Sequence, residues 1–470
     1  MKKSKYPRLD NVTIQGVAAE GKCIAKHEER VIFIEGQRVA PQDVVDLQII
    51  GKRKNYWEAV PVAFHTYSPE RTEPFCKHFG TCGGCKWQHI AYSAQLAYKQ
   101  QQVIDALTRI GKVALPAIMP ILPAPAGQYY RNKLEFTFSN RRWKMPNEEE
   151  DLPTAALGFH VAGHFDKILP LEHCFLQPDP SNDIRHAFEA YAFESGLPFY
   201  DYRAHEGFWR NVVIRTANTG QVMVMLIVAR PNDEALQKVM TFMQAKFSQV
   251  TSWYYLVNTK MNDTYHDLTP VHYAGLAYAE EKMLALNGKQ LTFRIGPKSF
   301  FQTNSAQAHQ LYKIAGEMAN LQGTETVYDL YTGTGTIACF VAGNAKKVVG
   351  IEYVPEAIED AKVNAQINQI PHMNFYAGDM KDLLKPALWE VEGTPDVVIT
   401  DPPRAGMDLP VTEALLALAP SRIVYVSCNP ATQARDLAVL DAKYEVVAVQ
   451  PVDMFPHTHH VENVVGLKLR

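Results

Sequence analysis

The chain has 470 residues, 47% hydrophobic and 21% charged, which is the composition of a folded globular protein too long for one ordinary core; about three domains are expected. Its net charge of −3 excludes a globally basic nucleic-acid binder and leaves only local cationic patches for such a partner. Seven cysteines spread over this length do not suggest a disulfide scaffold, and the longest uncharged apolar stretch, VMVMLIVA at 222–229, is too short to cross a bilayer.

In chain order, the start MKKSKYPRLD is charged and has no apolar segment of the secretory kind, so the cytoplasm is the expected compartment. Residues 10–64 alternate β-prone runs with polar breaks (NVTIQGVA, KCIAKHE, RVIFIEGQ, DVVDLQIIGKRKNYWEAVPVAF). Four or five strands with Gly-containing turns point to a small OB-like barrel. Within it Lys52, Arg53, Lys54, Tyr56 and Trp57 mix cations with aromatics, which suits single-stranded nucleic acid and equally a solvated edge hairpin. The turn-rich stretch CKHFGTCGGC then supplies Cys76, Cys82 and Cys85, with Cys174 of LEHCFL a candidate fourth ligand. Four thiolates satisfy tetrahedral zinc or a 4Fe–4S cluster, and spacing does not choose between them.

The segment AYSAQLAYKQQQVIDALTRIG has helical period, with Leu96, Val103, Leu107 and Ile110 on one face and Gly111 as its stop. It is expected to pack on the C-terminal domain. A proline-rich linker follows, and from 128 to about 298 strand-like runs such as KLEFTFSN, NVVIRTA and SWYYLVN dominate, with DEALQKVMTFMQAKF a helix between them. The acidic run NEEED at 147–151 reads as a solvated loop tip.

From 324 onward, TVYDLY, KVVGIEY, NFYAG, DVVITD, RIVYVSC and YEVVAVQPV alternate with helices, and NVVGLKLR closes the series. Such alternation predicts an α/β, doubly wound sheet that binds ligands at its strand carboxyl ends. VYDLYTGTGTIACF is a strand, a glycine-rich turn and a helix start, and Glu352 ends the next strand, where a carboxylate can take both hydroxyls of a ribose. Asp379 and Asp401 end the third and fourth strands. Acidic residues at successive strand ends, without a full G-x-G-x-x-G, fit S-adenosylmethionine better than a dinucleotide. The plain alternatives are a helix-start carboxylate for Glu352 and an Asx turn for Asp379. In IVYVSCNPAT, Cys428 sits where a buried strand stops, with core packing as its plain alternative.

FFQTN at 300–304, DLYTGTG, DPPRAGM, SCNPAT and HHVENVV occur in the order and spacing of the RNA uracil-5-methyltransferase family, which the chain resembles over nearly its whole length. Members of that family modify 23S rRNA or the T-loop of tRNA. The resemblance implies a Rossmann-like methyltransferase domain over 299–470, a TRAM barrel over 1–66, and between them, over 67–298, a central α+β domain carrying an iron–sulfur cluster. It implies Cys428 as nucleophile and Glu462 as general base, with Gln302, Tyr331, Thr336, Glu352 and Asp401 around the methyl donor. One departure is the turn Tyr-Thr-Gly-Thr-Gly-Thr, where many relatives have Phe-Cys-Gly and an Asn further on; it bears on Thr336. The resemblance favours a 4Fe–4S cluster on Cys76, Cys82, Cys85 and Cys174. Cys23 and Cys339 are expected to pack, and His457, His459 and His460 to shape the loop beside Glu462.

Uracil C5 is a poor nucleophile, so methylation there needs activation. A thiolate adding to C6 makes an enolate with an electron-rich C5. After transfer, a carboxylate must remove the C5 proton before the thiol can leave. Asp401 is placed to accept the N3 proton or orient the ring. The target base must be unstacked, with Phe300 and Phe301 as stacking candidates, and Arg131 and Lys133 of YYRNK as phosphate contacts. The expected function is S-adenosylmethionine-dependent methylation of a 23S rRNA uridine by a monomer, with neither DNA nor a membrane as partner. The alternatives are the same chemistry on the tRNA T-loop, or a non-catalytic RNA-binding or chaperone protein on this scaffold.

Overall fold

In the computed structural model, which describes residues 6–36, 38–145, 148 and 151–470, the strands gather into three large sheets and one hairpin. The charged start at 1–5 and most of the acidic run at 147–151 lie outside the described residues. The first sheet has six strands, Arg8–Thr13, Gly16–Val17, Cys23–His27, Arg30–Ile34, Val44–Lys52 and Tyr56–Thr66, where the sequence suggests four or five. The extra strand arises because NVTIQGVA breaks at Ile14 and Gln15, whose amides bond to Asp43 and Ile24. Alternate side chains, including Ala25, Ile32, Ile34, Leu47 and Ile49, turn inward and are fully buried. Trp57 joins this core at 9% exposure with the Lys52 ammonium 4.1 Å over its ring, so it offers no open stacking face. Lys52, Arg53 and Lys54 stand exposed at the hairpin tip.

The central sheet has seven strands built on Trp209–Thr216 and Val222–Val228, both buried along their whole length. Val222–Val228 runs parallel to Ser252–Val257 across the helix Asp233–Lys246, and the remaining neighbours are antiparallel. Among the described residues no helix is long and apolar enough to cross a membrane.

The third sheet holds strands that we label β1 (Thr326–Leu330), β2 (Lys347–Glu352), β3 (Met373–Ala377), β4 (Val397–Thr400), β5 (Arg422–Ser427), β6 (Tyr444–Val452) and β7 (Glu462–Leu469). Their order is β3-β2-β1-β4-β5-β7-β6, parallel from β3 to β5, with β7 inserted antiparallel between β5 and β6. Both faces are covered, which is why the strands read as continuous apolar runs. Val327, Val397 and Val424 face a core shared with the helices Ser305–Ala319 and Thr336–Ala342. Tyr328, Val398 and Tyr425 face a second core with the helices Leu409–Leu418 and Pro430–Leu440.

The helix Tyr92–Ala106 packs on that second face, where Val103 and Leu107 meet Ala434 and Leu437. Its buried stripe runs through Gln95, Lys99, Val103 and Leu107. Leu96 is half-buried, and Ile110 is exposed because the last turn, Leu107–Gly111, widens to a π-turn that carries it outward.

Candidate active site

Strand β1 has β2 on one side and β4 on the other, and the chain turns outward to opposite sides of the sheet from this point, which makes a crevice at the strand carboxyl ends. The turn after β1 winds through left-handed backbone at Tyr331 (φ 62°), Gly333 (φ 55°) and Gly335 (φ 76°). A side chain on Gly333 would meet nothing within 4 Å, so open space lies over the turn. Asp329 anchors it from below by accepting from the Thr332 hydroxyl (2.5 Å) and the Ala338 amide (3.1 Å). Burial pushes the Asp329 carboxyl up to about 7, and its other oxygen, Oδ1, is buried with no protein partner. Glu352, at the end of β2, accepts from the amides of Gly333 (3.1 Å) and Val354 (3.0 Å), which ties two strand ends together and leaves the carboxylate half-buried at the crevice. Thr336 is buried and hydrogen-bonds the Tyr312 hydroxyl. Asp379 caps the short helix Met380–Leu383 and pairs with Lys381 at 2.9 Å, a bond that holds its carboxyl low; the Asx reading of this residue is therefore occupied.

The end of β5 and the start of β7 bring Cys428 and Glu462 together. Ser427 pairs with Asn463 across the antiparallel ladder, so the next residue of each strand lies alongside the other. Beneath them a buried amide pair staples the strands: Asn463 Nδ2 donates to Gln433 Oε1 (2.7 Å), and Gln433 Nε2 donates to the Tyr425 carbonyl (2.9 Å). Asp401, one residue past β4, belongs to the same cluster of charge. Burial raises the Glu462 carboxyl well above the carboxylate range, and the Asp401 charge raises it further. Burial, then the Asp329 charge, raises Asp401 to about 7. The half-buried Cys428 thiol is pushed up to about 11 by burial, then by Glu462 and Asp401. Arg404 of DPPRAGM is the countercharge that favours the ionised forms of both Cys428 and Glu462. Its carbonyl accepts from Asn429 Nδ2 (3.0 Å) and the Thr432 hydroxyl (3.2 Å), which fastens the loop to the helix start after Cys428. The sequence reading assigned Arg404 no role, although the quoted motif contains it.

Of the two adjacent phenylalanines, Phe301 is 3% exposed and packs on Phe293 in the core, so it has no face for a base. The stacking expectation is thereby corrected to Phe300 alone, 69% exposed. The Gln302 carbonyl accepts from Asn132 Nδ2 (2.9 Å), and the Asn132 amide donates to Thr303 (2.7 Å), so YYRNK holds the FFQTN segment through a residue the sequence reading passed over. Arg131 lies with its guanidinium 4.9 Å from the Phe455 ring, and its Nε is buried with no protein partner. Lys133 is largely shielded, and burial pulls its ammonium down.

Cys76, Cys82, Cys85 and Cys174 line one cavity, walled by Phe79, Phe159 and Phe175. All four are free thiols. The Gly84 amide donates to Cys82 Sγ at 3.4 Å. Burial raises Cys82 to about 12 and Cys174 to about 11, and each of these two is raised further by neighbouring thiols. Among the described residues no group of three or more His, Cys, Asp or Glu side chains is disposed to hold a metal ion. The histidines before Glu462 are half-buried: the His459 and His460 rings lie 4.0 Å apart and tilted, and desolvation pushes them down to about 3 and 4, which favours the neutral form of both.

Residues 216–384 and 391–470 match the model of the family described as tRNA (Uracil-5-)-methyltransferase. An uncharacterized RNA methyltransferase of Bacteroides thetaiotaomicron is 55% identical over 97% of this chain and 100% of its own length. A second, from Porphyromonas gingivalis, is 50% identical over 97% of this chain and 98% of its own. Among solved structures, the Pyrococcus abyssi tRNA (uracil-54, C5)-methyltransferase in complex with S-adenosyl-L-homocysteine is similar with a TM-score of 0.74, at 26% identity, over 97% of this chain and 99% of that one. An α/β sheet with a crevice at its switch point, a thiol and a carboxylate side by side at its strand ends, and these full-length likenesses converge: the chain belongs to the tRNA (uracil-5-)-methyltransferase family of S-adenosylmethionine-dependent RNA methyltransferases.

Proposed function

We propose that the protein methylates C5 of a uridine in 23S rRNA through a covalent bond between Cys428 and C6. The observation that carries this reading is the juxtaposition of Cys428 and Glu462 across the β5–β7 ladder. S-adenosylmethionine supplies the methyl group as an electrophile. The open space over Gly333, the orphaned Asp329 oxygen and the Glu352 carboxylate suit a nucleoside and its charged donor end, and Gln302, Tyr331 and Thr336 are proposed as further contacts to the donor. Cys428 attacks C6 as the thiolate, with Arg404 favouring that charge. Asp401, poised near neutral pH, holds the N3 edge of the ring. Glu462 removes the C5 proton, the electron pair left behind forms the C5–C6 double bond, and the thiolate leaves. Phe300 stacks on the extruded base, and Arg131 meets phosphate.

Four free thiols on one cavity, with an amide already directed at Cys82, suit a 4Fe–4S cluster that orders the segment around residues 76–90. The sheet over residues 8–66 is proposed as a TRAM-type RNA-binding module, with the exposed Lys52, Arg53 and Lys54 as its contacts. A T-loop uridine of tRNA is the second reading, favoured by the full-length likeness to the archaeal tRNA enzyme. Mapping 5-methyluridine in total RNA from a strain lacking the gene decides between them: loss from 23S rRNA alone supports the first, and loss from tRNA alone replaces it. A denaturation-stable complex with 5-fluorouridine RNA tests the adduct, since fluorine does not leave as a proton.

A further inference from the structure

The loop between β6 and β7, residues 453–461, delivers the chain onto Glu462, and most of its bonds come from far earlier in the sequence. Asp453 and Lys99, both 0% exposed, form an ion pair at 2.5 Å. Lys99 Nζ also donates to the Phe455 carbonyl (3.0 Å), and the Tyr92 hydroxyl donates to Asp453 Oδ2 (2.7 Å). The His457 amide donates to Gln95 Oε1 (2.9 Å), and Gln95 Nε2 meets His457 Nδ1 (3.2 Å). The amides of Lys86 and Trp87, directly after Cys85, both donate to the His457 carbonyl, at 2.8 and 3.0 Å. His457 itself has φ 63°, a left-handed conformation that a non-glycine residue keeps only when its surroundings impose it.

Gln95 and Lys99 stand on the buried stripe of the helix Tyr92–Ala106, one helical turn apart and in line with Val103 and Leu107. Apolar residues there would stabilise the helix as well or better, because a buried ion pair regains little beyond its desolvation cost. Such a pair does fix one arrangement, since only one geometry satisfies both charges. Glu462 is the first residue of β7, paired with Val452 on one side, so its carboxylate depends on how the loop enters the strand.

We propose that Lys99, Tyr92 and Gln95 are positioning residues for the base: the helix Tyr92–Ala106 and the cysteine-bearing segment before it hold residues 453–461 in the conformation that sets the Glu462 carboxylate toward C5 of the bound uridine. This rests on the assignment of Glu462 as the base. In the step concerned the carboxylate takes the C5 proton, the C5–H electron pair becomes the C5–C6 double bond, and the C6–S bond breaks with its pair returning to sulfur. Adduct formation uses Cys428, on a strand this loop does not carry, so the two steps separate.

The test uses the full-length protein with three readouts: the rate of adduct formation on a 5-fluorouridine stem-loop, the rate of breakdown of the methylated adduct on the uridine stem-loop, and the isotope effect on turnover from deuterium at C5. Lys99→Met combined with Asp453→Leu removes the pair without leaving a lone buried charge. Breakdown is expected to slow about tenfold, as a small displacement of a reacting group does. Adduct formation stays within about twofold and the isotope effect rises. Tyr92→Phe, which removes one hydroxyl, moves the same readouts in the same direction by about threefold and decides the matter if the double variant does not fold. Equal loss in both steps, or unchanged breakdown in the folded variants, overturns the proposal. Glu462→Gln run alongside separates the two ideas: wild-type turnover there removes the base assignment and this inference with it. Accumulation of methylated adduct in Glu462→Gln, with none in the loop variants, overturns the positioning role alone.

Discussion

Cys428 and the four-cysteine cavity both hold shielded thiols, and what surrounds the sulfur differs between them. Around Cys428 the neighbours are Glu462, Asp401 and the Arg404 charge; in the cavity of Cys76, Cys82, Cys85 and Cys174 they are other thiols and aromatic walls. Burial raises the thiols in both, so burial does not tell a nucleophile from a ligand. The neighbours do. A lone thiol beside a carboxylate can take part in proton and covalent exchange in one cycle, whereas thiols gathered on one cavity, with Cys82 and Cys174 each raised by their neighbours, suit a shared cationic centre.

The sharpest break of this comparison is Cys428→Ala. It is expected to reduce methyl transfer more than about 1000-fold and to abolish the 5-fluorouridine adduct, while RNA and S-adenosylmethionine binding stay within about threefold. An adduct that persists in this variant would move the nucleophile elsewhere. Glu462→Gln comes next, with turnover reduced about 10²- to 10⁴-fold and methylated protein–RNA complex accumulating on denaturing gels. In the cavity, serine at any one of the four positions should cost metal and thermal stability before it costs adduct formation. Anaerobically purified wild-type protein should hold about four irons per chain. Stoichiometric zinc without iron would make the cavity a different kind of site.

The smallest effect concerns pH. A thiol pushed up to about 11 is protonated at neutral pH and loses its proton as pH rises toward that value, so iodoacetamide labelling of Cys428 in the free protein should rise about tenfold per pH unit between 7 and 9. Arg404→Ala, which removes the charge favouring the thiolate, should slow labelling a further few-fold at fixed pH. Rapid, pH-independent labelling would place a stronger cation beside the sulfur than this structure has. Cys339, 1% exposed and raised to about 12, serves as the internal control and should stay unlabelled.

Much of the third sheet was legible because most of its strands are short runs rich in β-branched or aromatic residues, the first five separated by helical periods, and strand ends are where polar residues interrupt them. Cys428, Glu352 and Asp401 announced themselves in that way. What stayed hidden depends on pairing across long sequence separations. Nothing in NVVGLKLR states that β7 slips between β5 and β6, and nothing in NVTIQGVA states that its amides leave the ladder at Ile14 for Asp43 and Ile24. Phe300 and Phe301 have identical side chains, and only the backbone direction sends one to the core and the other to solvent. Trp57 reads as a stacking surface until the inward face of its strand is known. Gln95 and Lys99 were passed over because a polar residue in a helical pattern is ordinarily assigned to the wet side; here both are buried.

The antiparallel insertion of β7 has a consequence for how the enzyme comes into being. Between Cys428 and Glu462 the chain makes the helix Pro430–Leu440 and the edge strand β6 before doubling back, so thiol and carboxylate become neighbours only when the last gap in the sheet closes. Non-local pairing of this kind is slow to form compared with the helices around it. On the proposed assignment a half-assembled molecule has its nucleophile without the base that takes the C5 proton, so turnover is expected to appear only once the β5–β7 ladder has formed.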